Sequence, residues 1–204
     1  MPRQRIRHAV FVPVVLLAVL TAGCVWSVPQ PTLIREPRPD AVPLRIGVYY
    51  PSELRGFTYR HHLTDTAWRL GAPSVQLLNE AFRLLFVDVV EVPWRPSNAA
   101  PATDVAAVIE SRIVSAGFRY PRGGERAFPA HVIYGFTLYD AAGATVASWS
   151  AEGTAAEPVD NPLAAVAGVK RNFEQAMREA AQKLTGGCRE VPQVRQWLTA
   201  QGVR

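Results

Sequence analysis

Apolar side chains alternate with polar ones in several stretches of the chain, and an alternation with a period of two predicts β-strands. The sequence "PLRIGVYY" puts Leu44, Ile46, Val48 and Tyr50 on one face and ends at Pro51. A second run, "VDVVEV", is rich in β-branched residues and also stops at a proline. Both runs are therefore predicted to be strands.

The clearest strand pair is the sequence "AHVIYGFTLYDAAGATVASWS", in which two strand-like runs flank a turn that opens with Asp140 and closes with Gly143. This order is typical of a type I turn with glycine in the left-handed conformation, so a β-hairpin is predicted. Its apolar face consists of Val132, Tyr134, Phe136 and Leu138. Val146 is expected to pair across this face, and Trp149 to lie on the other side of its strand.

Two further stretches allow more than one interpretation. The apolar spacing within 105–120 fits a helix, but the β-branched content and the ending "GFRYP" favour a strand, which we predict from about Val108. Residues 52–71 are polar and aromatic, and we predict a loop or a short hairpin there.

Spacings of three and four residues between apolar positions predict two long amphipathic helices. The first opens at Pro73 or Ser74, and the second starts at Pro162 and ends at the glycine pair 186–187. A short helix, "PQVRQWL", is expected to close the chain and to dock on the domain through its Trp and Leu.

The order strand, helix, strand, strand, hairpin, helix predicts an α+β fold. Neither long helix can bury its apolar stripe alone, so both are expected on one face of a sheet. The prediction is a two-layer sandwich with a mixed or antiparallel sheet of about five strands and two long helices on one face. We assign it to a single domain, 44–204.

The start of the chain differs in composition from the rest. Arg3, Arg5 and Arg7 precede an uncharged apolar run of 14 residues, 9–22, which is typical of a secretory signal peptide. Fourteen helical residues span about 21 Å, less than the roughly 30 Å of a bilayer core. The uncharged run nevertheless continues through 9–28, so an uncleaved membrane anchor stays open as an alternative.

The sequence "LTAGC" resembles the lipobox of bacterial lipoproteins, in which a small residue precedes a cysteine that carries a diacylglycerol on its sulfur. Ala22, Gly23 and Cys24 match the pattern, whereas Thr21 stands where leucine is most common. The resemblance implies a signal peptide at 1–23, cleavage between Gly23 and Cys24, and lipidation of Cys24. Ordinary secretion without a lipid is the remaining alternative.

Five prolines within 25–43 predict that 24–43 is an extended tether. Its 19 residues after the cysteine, at about 3.1 Å each, reach at most about 59 Å, so the domain would stand clear of the lipid. The enteric sorting rule retains lipoproteins with aspartate after the cysteine in the inner membrane. Val25 occupies that position, so the resemblance implies the periplasmic face of the outer membrane.

Charge and cysteine usage exclude two other classes of protein. The net charge of +5 falls to +2, with 19 basic and 17 acidic residues, when the three N-terminal arginines are removed. No basic run with interleaved aromatics follows, so we expect no nucleic-acid binding. Cys24 and Cys188 are too far apart for a disulfide framework. Cys188 is expected to be a half-buried thiol after a helix, with intermolecular pairing as the alternative.

Candidate catalytic and metal-ligating groups are few. His61, His62 and Asp65 form the only cluster in the sequence, and a metal site needs three or four ligands in fixed geometry. His131 is expected to be an exposed strand residue. The GxSxG, HExxH, phosphate-loop and CxxC motifs do not occur. We therefore expect no enzyme activity, no cofactor and no metal.

The predicted layout over 44–185 is similar to that of several envelope lipoproteins: the lipopolysaccharide-transport plug, the auxiliary lipoproteins of lipid-trafficking ABC transporters, and the activators of cell-wall synthases. The similarity implies a non-catalytic interaction subunit of an envelope assembly or lipid-transport system. Its partners would be the membrane, through the lipid anchor, and an envelope protein or lipid. Candidate contact residues are Tyr49, Tyr59 and Trp68.

Two alternatives to this function remain. One is a structural or stress-related envelope lipoprotein without a fixed partner. The other is a periplasmic enzyme that uses His61, His62 and Asp65.

Overall fold

A computed structural model of the chain describes residues 25–33, 41–64, 66–97, 100–159, 161 and 164–203. The strands are β1 (Val25–Ser27), β2 (Val42–Tyr49), β3 (Thr58–His61), β4 (Thr66–Arg69), β5 (Phe86–Glu91), β6 (Ala107–Phe118), β7 (Ala130–Asp140) and β8 (Thr145–Ala155). The helices are α1 (Ser52–Arg55), α2 (Gly71–Leu85), α3 (Ala165–Gly187) and α4 (Pro192–Ala200). The predictions for Gly23, Cys24, Asp65 and Pro162 concern residues outside these ranges.

The main sheet has five strands in the order β5-β2-β6-β7-β8. The first three are parallel to one another, and β6, β7 and β8 are antiparallel neighbours. The predicted mixed sheet of about five strands is thus confirmed, and the ambiguous stretch 105–120 contains a strand that begins at Ala107.

Helices α2 and α3 pack against each other, and α3 also packs along β7 and β8. The contact between helix and sheet is aromatic in part: the ring of Phe82 in α2 meets that of Phe136 in β7 edge-on, with centroids 6.0 Å apart. The predicted α+β two-layer sandwich with two long helices on one face is confirmed. Trp197 and Leu198 of α4 are buried, as expected for a helix that docks on the domain.

The β7–β8 hairpin has the predicted turn, since Gly143 has a φ of 91° and the Asp140 carboxylate accepts a 2.8 Å hydrogen bond from the Ala144 amide. The face expected for Trp149 is wrong, because Trp149 pairs with Phe136, and their ring centroids are 5.5 Å apart on the same face. The ladder shifts register beside the turn, which leaves Val146 as an extra residue and reverses the alternation beyond it.

A second sheet of three strands, in the order β1-β4-β3, lies beside the main sheet. The β3–β4 hairpin occupies residues 58–69, where a short hairpin was one of the two predictions. Strand β1 adds to β4 in parallel. The small sheet packs against the end of β6 and against α3, because Trp68 of β4 contacts the rings of both Phe118 and Phe173.

Cys188 lies in the 3-10 turn that follows α3, and it is more deeply buried than expected, with 2% of its surface exposed. Burial raises the pKa of its thiol to about 12. A buried thiol that stays protonated at neutral pH is a poor nucleophile, which argues against intermolecular pairing through Cys188.

Candidate functional site

The residues that directly follow Cys24 belong to the folded structure. Strand β1 pairs with β4 in the register Val25 to Ala67 and Ser27 to Arg69. A free extended spacer was expected over this stretch, but residues 25–33 pack against the domain. The physical reason is their apolar content, because the side chains of Val28 and Leu33 are buried in the core.

Trp26 holds β1 in place from one side. Its indole stacks on that of Trp68, with centroids 6.4 Å apart and planes inclined by 28°. The ammonium group of Lys170, in the first turns of α3, lies 5.3 Å from the centre of the Trp26 ring. Trp26 is therefore enclosed between a buried aromatic and a cation, an arrangement that adds cation–π attraction to apolar burial.

Polar contacts fix the other end of this segment to both long helices. The Arg178 guanidinium of α3 donates a 3.2 Å hydrogen bond to the Thr32 carbonyl, and the Leu33 amide donates a 3.3 Å bond to the Glu80 carboxylate of α2. Arg178 is itself held by Glu174 at 2.8 Å. We call residues 25–33 the N-terminal strap.

Trp26 of the strap belongs to an aromatic cluster to which the small sheet, the main sheet and α3 contribute. Its members are Trp26, Tyr59, His61, Trp68, Phe118, Tyr120, Phe128 and Phe173. Two of the expected contact residues belong to it: Trp68 is buried and Tyr59 is half-buried, so neither presents a free ring. Tyr49, the third, is half-buried at the end of β2. The sequence analysis named Tyr59 and Trp68 as contact residues but did not reveal that they belong to one cluster.

His61 is a member of this cluster and is buried. Its ring stacks on Phe118 at 4.6 Å and on His62 at 4.9 Å, and its Nδ1 accepts a 3.3 Å hydrogen bond from the Leu63 amide. Burial, with a smaller effect of His62, lowers the pKa of His61, so the neutral ring is favoured. These contacts give His61 a packing role.

The structure brings His61 and His62 together, whereas Asp65 lies outside the described residues. In the part of the chain that the structure describes, no three His, Cys, Asp or Glu side chains are grouped to hold a metal ion. His131 is half-buried rather than exposed, and its Nε2 lies 3.1 Å from the Ser115 hydroxyl.

Several large apolar side chains are exposed, and three of them lie at the same end of the molecule as His61 and His62. The large ones among the described residues are Val25, Leu63, Val87, Trp94, Val114 and Tyr120. Leu63 is the most exposed, at 72%, and it lies in the turn between β3 and β4. The ring of Tyr120 lies edge-on to His61 at 5.1 Å. The candidate site is therefore the end of the small sheet where Val25, Leu63 and Tyr120 face solvent.

No helix within the described ranges is long and apolar enough to cross a membrane. No protein-family model matches the chain, and no curated protein matches it either.

Among solved structures, the chain is similar to protein XCC0632 from Xanthomonas campestris, of the family DUF330, with a TM-score of 0.54 and 15% identity over 87% of this chain and 99% of that one. A minor lipoprotein from Acinetobacter baumannii covers 74% of this chain and 96% of its own, at 9% identity and a TM-score of 0.46. Lipoprotein GNA1162 from Neisseria meningitidis covers 62% and 94%, at 13% identity and a TM-score of 0.35. The chain shares its fold with XCC0632.

Proposed function

We propose that this chain is a lipoprotein of the bacterial envelope, anchored by an acylated Cys24 to the periplasmic face of the outer membrane. In this proposal the domain is a non-catalytic interaction subunit of an envelope assembly or lipid-transport system. The observation that carries it is the position of β1: Val25, the residue after the lipobox cysteine, is paired with Ala67 of β4 in the folded domain. A lipid on Cys24 would therefore be attached one residue away from a strand of the domain.

The chemistry of the described residues supports a non-catalytic role. His61, one of the two histidines of the pair, stacks within an aromatic cluster, and burial lowers its pKa, which favours the neutral ring. The most exposed apolar side chain, Leu63, lies beside that cluster and is available for contact. An exposed apolar side chain beside a lipid anchor is suited to interaction with a membrane or a partner rather than to catalysis.

Lipidation is tested by growth with radioactive palmitate. We expect the wild-type protein to be labelled and to sediment with membranes, and Cys24→Ser to be unlabelled and either soluble or uncleaved. The matched control is Cys188→Ser, which removes the only other sulfhydryl and is expected to label like the wild type. Labelling of Cys24→Ser at the wild-type level contradicts the proposal.

The membrane of residence is tested by separating inner and outer membranes on a density gradient. We expect the wild type in the outer membrane and, in a host that follows the enteric sorting rule, Val25→Asp in the inner membrane. Val25→Ser introduces a small polar residue without a charge, and this variant is expected to stay in the outer membrane. Wild-type protein in the inner membrane contradicts this location.

Partner binding is tested by affinity purification from detergent-solubilised membranes. A stoichiometric envelope protein is the expected result. Recovery of the lipoprotein alone, after crosslinking as well as without it, favours the alternative of a structural or stress-related lipoprotein without a fixed partner.

A further inference from the structure

The geometry of the small sheet determines which end of the domain lies nearest to residue 24. Strand β1 is parallel to β4, and β4 begins at Thr66, directly after the turn that joins it to β3. The first residue of β1 therefore lies at the same end of the sheet as this turn. We call the residues of it that the structure describes, 62–64, the β3–β4 turn.

The distances at this end are short. Val25 is in register with Ala67, so it lies one strand spacing, about 4.8 Å, from β4 and roughly 10 Å along the strand direction from the tip of the turn. The Cα atoms of neighbouring residues are about 3.8 Å apart. A lipid attached to residue 24 is thus joined to the sheet through a single peptide unit, with the strap fixed behind it by Trp26 and Arg178.

Apolar side chains project from this end, between and beside the exposed polar residues His62 and Thr64. Leu63 at the turn is 72% exposed, Val25 is at the edge of the sheet, and the Tyr120 ring stands beside His61. Leucine gains free energy on leaving water, and tyrosine is enriched at membrane–water interfaces. The apolar projections and the site of the anchor therefore coincide.

We propose that the β3–β4 turn is a membrane-contacting element, which rests on the phospholipid bilayer and places the Leu63 side chain among the acyl chains at the headgroup boundary. This inference rests on the proposed function, because it requires acylation of Cys24. It chooses lipid as the occupant because the anchor itself brings lipid to this end of the molecule. The domain then lies against the bilayer, in contrast to the distant position that a free tether of 19 residues would allow.

The test uses the acylated full-length lipoprotein in vesicles of phosphatidylethanolamine and phosphatidylglycerol. An environment-sensitive fluorophore is attached at Leu63→Cys, and, in a second protein, at Val87→Cys. Val87 is a matched control because it is 69% exposed and apolar. It also lies in β5, far from the turn. The pairing of β5 with β2, and of β2 with β6, places Val87 about 12 residues from Phe118 along the strand direction, which is roughly 40 Å. Phe118 lies beneath the turn. The buried Cys188 thiol is not expected to react in the folded protein.

We expect the label at position 63, and not at position 87, to shift its emission to shorter wavelength on reconstitution and to be quenched by lipids that carry a quencher near the headgroup. Equal emission of the two labels in vesicles overturns the inference. A shift at position 63 that occurs only in native membranes, and not in pure lipid, also overturns it and identifies a protein as the occupant. Palmitate labelling of Cys24 is measured on the same preparation: labelling without a shift refutes the orientation alone, whereas absence of labelling refutes the proposed function.

Discussion

Gly153 of β8 lies directly against the backbone of α3 at Ala176. A Cβ atom added to Gly153 would stand 1.8 Å from the Ala176 carbonyl oxygen and 2.6 Å from the Ala180 nitrogen. Helix and sheet approach this closely because glycine has no side chain, so the distance between the two layers depends on this residue.

We expect Gly153→Ala to destabilise the domain by about 3 kcal/mol or more, since the helix has to move away from the sheet and the core packing is lost. The measurement is urea unfolding followed by circular dichroism. Gly186→Ala is the matched control, because a Cβ there meets no atom within 4 Å. In the last turn of α3 this change is expected to be neutral or to stabilise by up to about 1 kcal/mol. Equal stability of the two variants contradicts the prediction.

A buried hydrogen-bond chain joins α2 to β7. The Ser74 hydroxyl lies 2.7 Å from the Leu70 carbonyl, to which it donates, and 2.8 Å from the Tyr134 hydroxyl, from which it accepts. Both side chains are buried, and burial raises the pKa of Tyr134. We expect Ser74→Ala to cost about 1–3 kcal/mol, because it leaves a buried tyrosine hydroxyl without its acceptor, and Tyr134→Phe to cost about 1 kcal/mol.

Unfolding of the double variant Ser74→Ala/Tyr134→Phe checks this chain. We expect its loss of stability to be smaller than the sum of the single losses. The double variant lacks both hydroxyl groups, so neither is left without its hydrogen-bond partner. Strict additivity of the two changes would show that the hydroxyl groups are not coupled.

The stacking of Trp26 on Trp68 predicts that the strap can be released by a single change. Trp26→Ala removes the stack and the contact with Lys170, for an expected loss of about 1–2 kcal/mol. Limited proteolysis followed by mass spectrometry is expected to show new cleavage within 25–33. Trp94→Ala is the control, since Trp94 is 55% exposed and its removal is expected to leave both readouts unchanged. Unaltered proteolysis of Trp26→Ala would show that the strap is held by its other contacts.

The buried His61 predicts that the domain loses stability in mild acid. Burial lowers the pKa of His61 in the folded protein, so the unfolded chain binds the proton more tightly. Stability is therefore unaffected well above pH 6.5, the ordinary value for histidine, falls below it, and levels off beneath the folded pKa. Urea midpoints between pH 7.5 and 5.5 measure this loss.

His61→Phe keeps an aromatic ring in the stack and is expected to flatten the dependence on pH in that window. His62→Gln is expected to retain most of it, because burial is the larger cause of the shift and His62 the smaller one. An unchanged pH profile in His61→Phe would assign the acid sensitivity to other groups.

The sequence by itself determined the type of most elements. Alternation predicted β2 and the β7–β8 hairpin, and β-branched content predicted β5. Helical spacing predicted α2 and α3. Each of these patterns follows from the local preferences of one element and needs no partner. The observed bounds of these elements differ from the predicted ones by only a few residues, at ends where the sequence has no strong stop signal. Strand β2 begins at Val42. Helix α2 begins at Gly71 and has Pro73 in its first turn, where a proline is tolerated. The lipobox is likewise a local motif and was accessible without a structure.

Only the tertiary structure decided the features that depend on residues far apart in the chain. The proline-rich stretch after Cys24 contains no local pattern that predicts packing. Trp26 nevertheless stacks on Trp68, and the Thr32 carbonyl accepts a hydrogen bond from Arg178, 146 positions later. The face of Trp149 depends on a register shift beside the turn, which alternation cannot show.

Buried polar groups are the second kind of feature that the sequence did not predict. Asn172 is next to the apolar stripe of α3 and is buried. Its side-chain amide donates a 3.0 Å hydrogen bond to the Phe128 carbonyl and accepts a 2.8 Å bond from the Glu157 backbone amide. His61 is buried for a different reason: rings from β6 and the small sheet enclose it, while the neighbouring Leu63 amide satisfies its Nδ1. Polar residues are read as exposed from sequence, and only the partners that the fold supplies offset the cost of their burial.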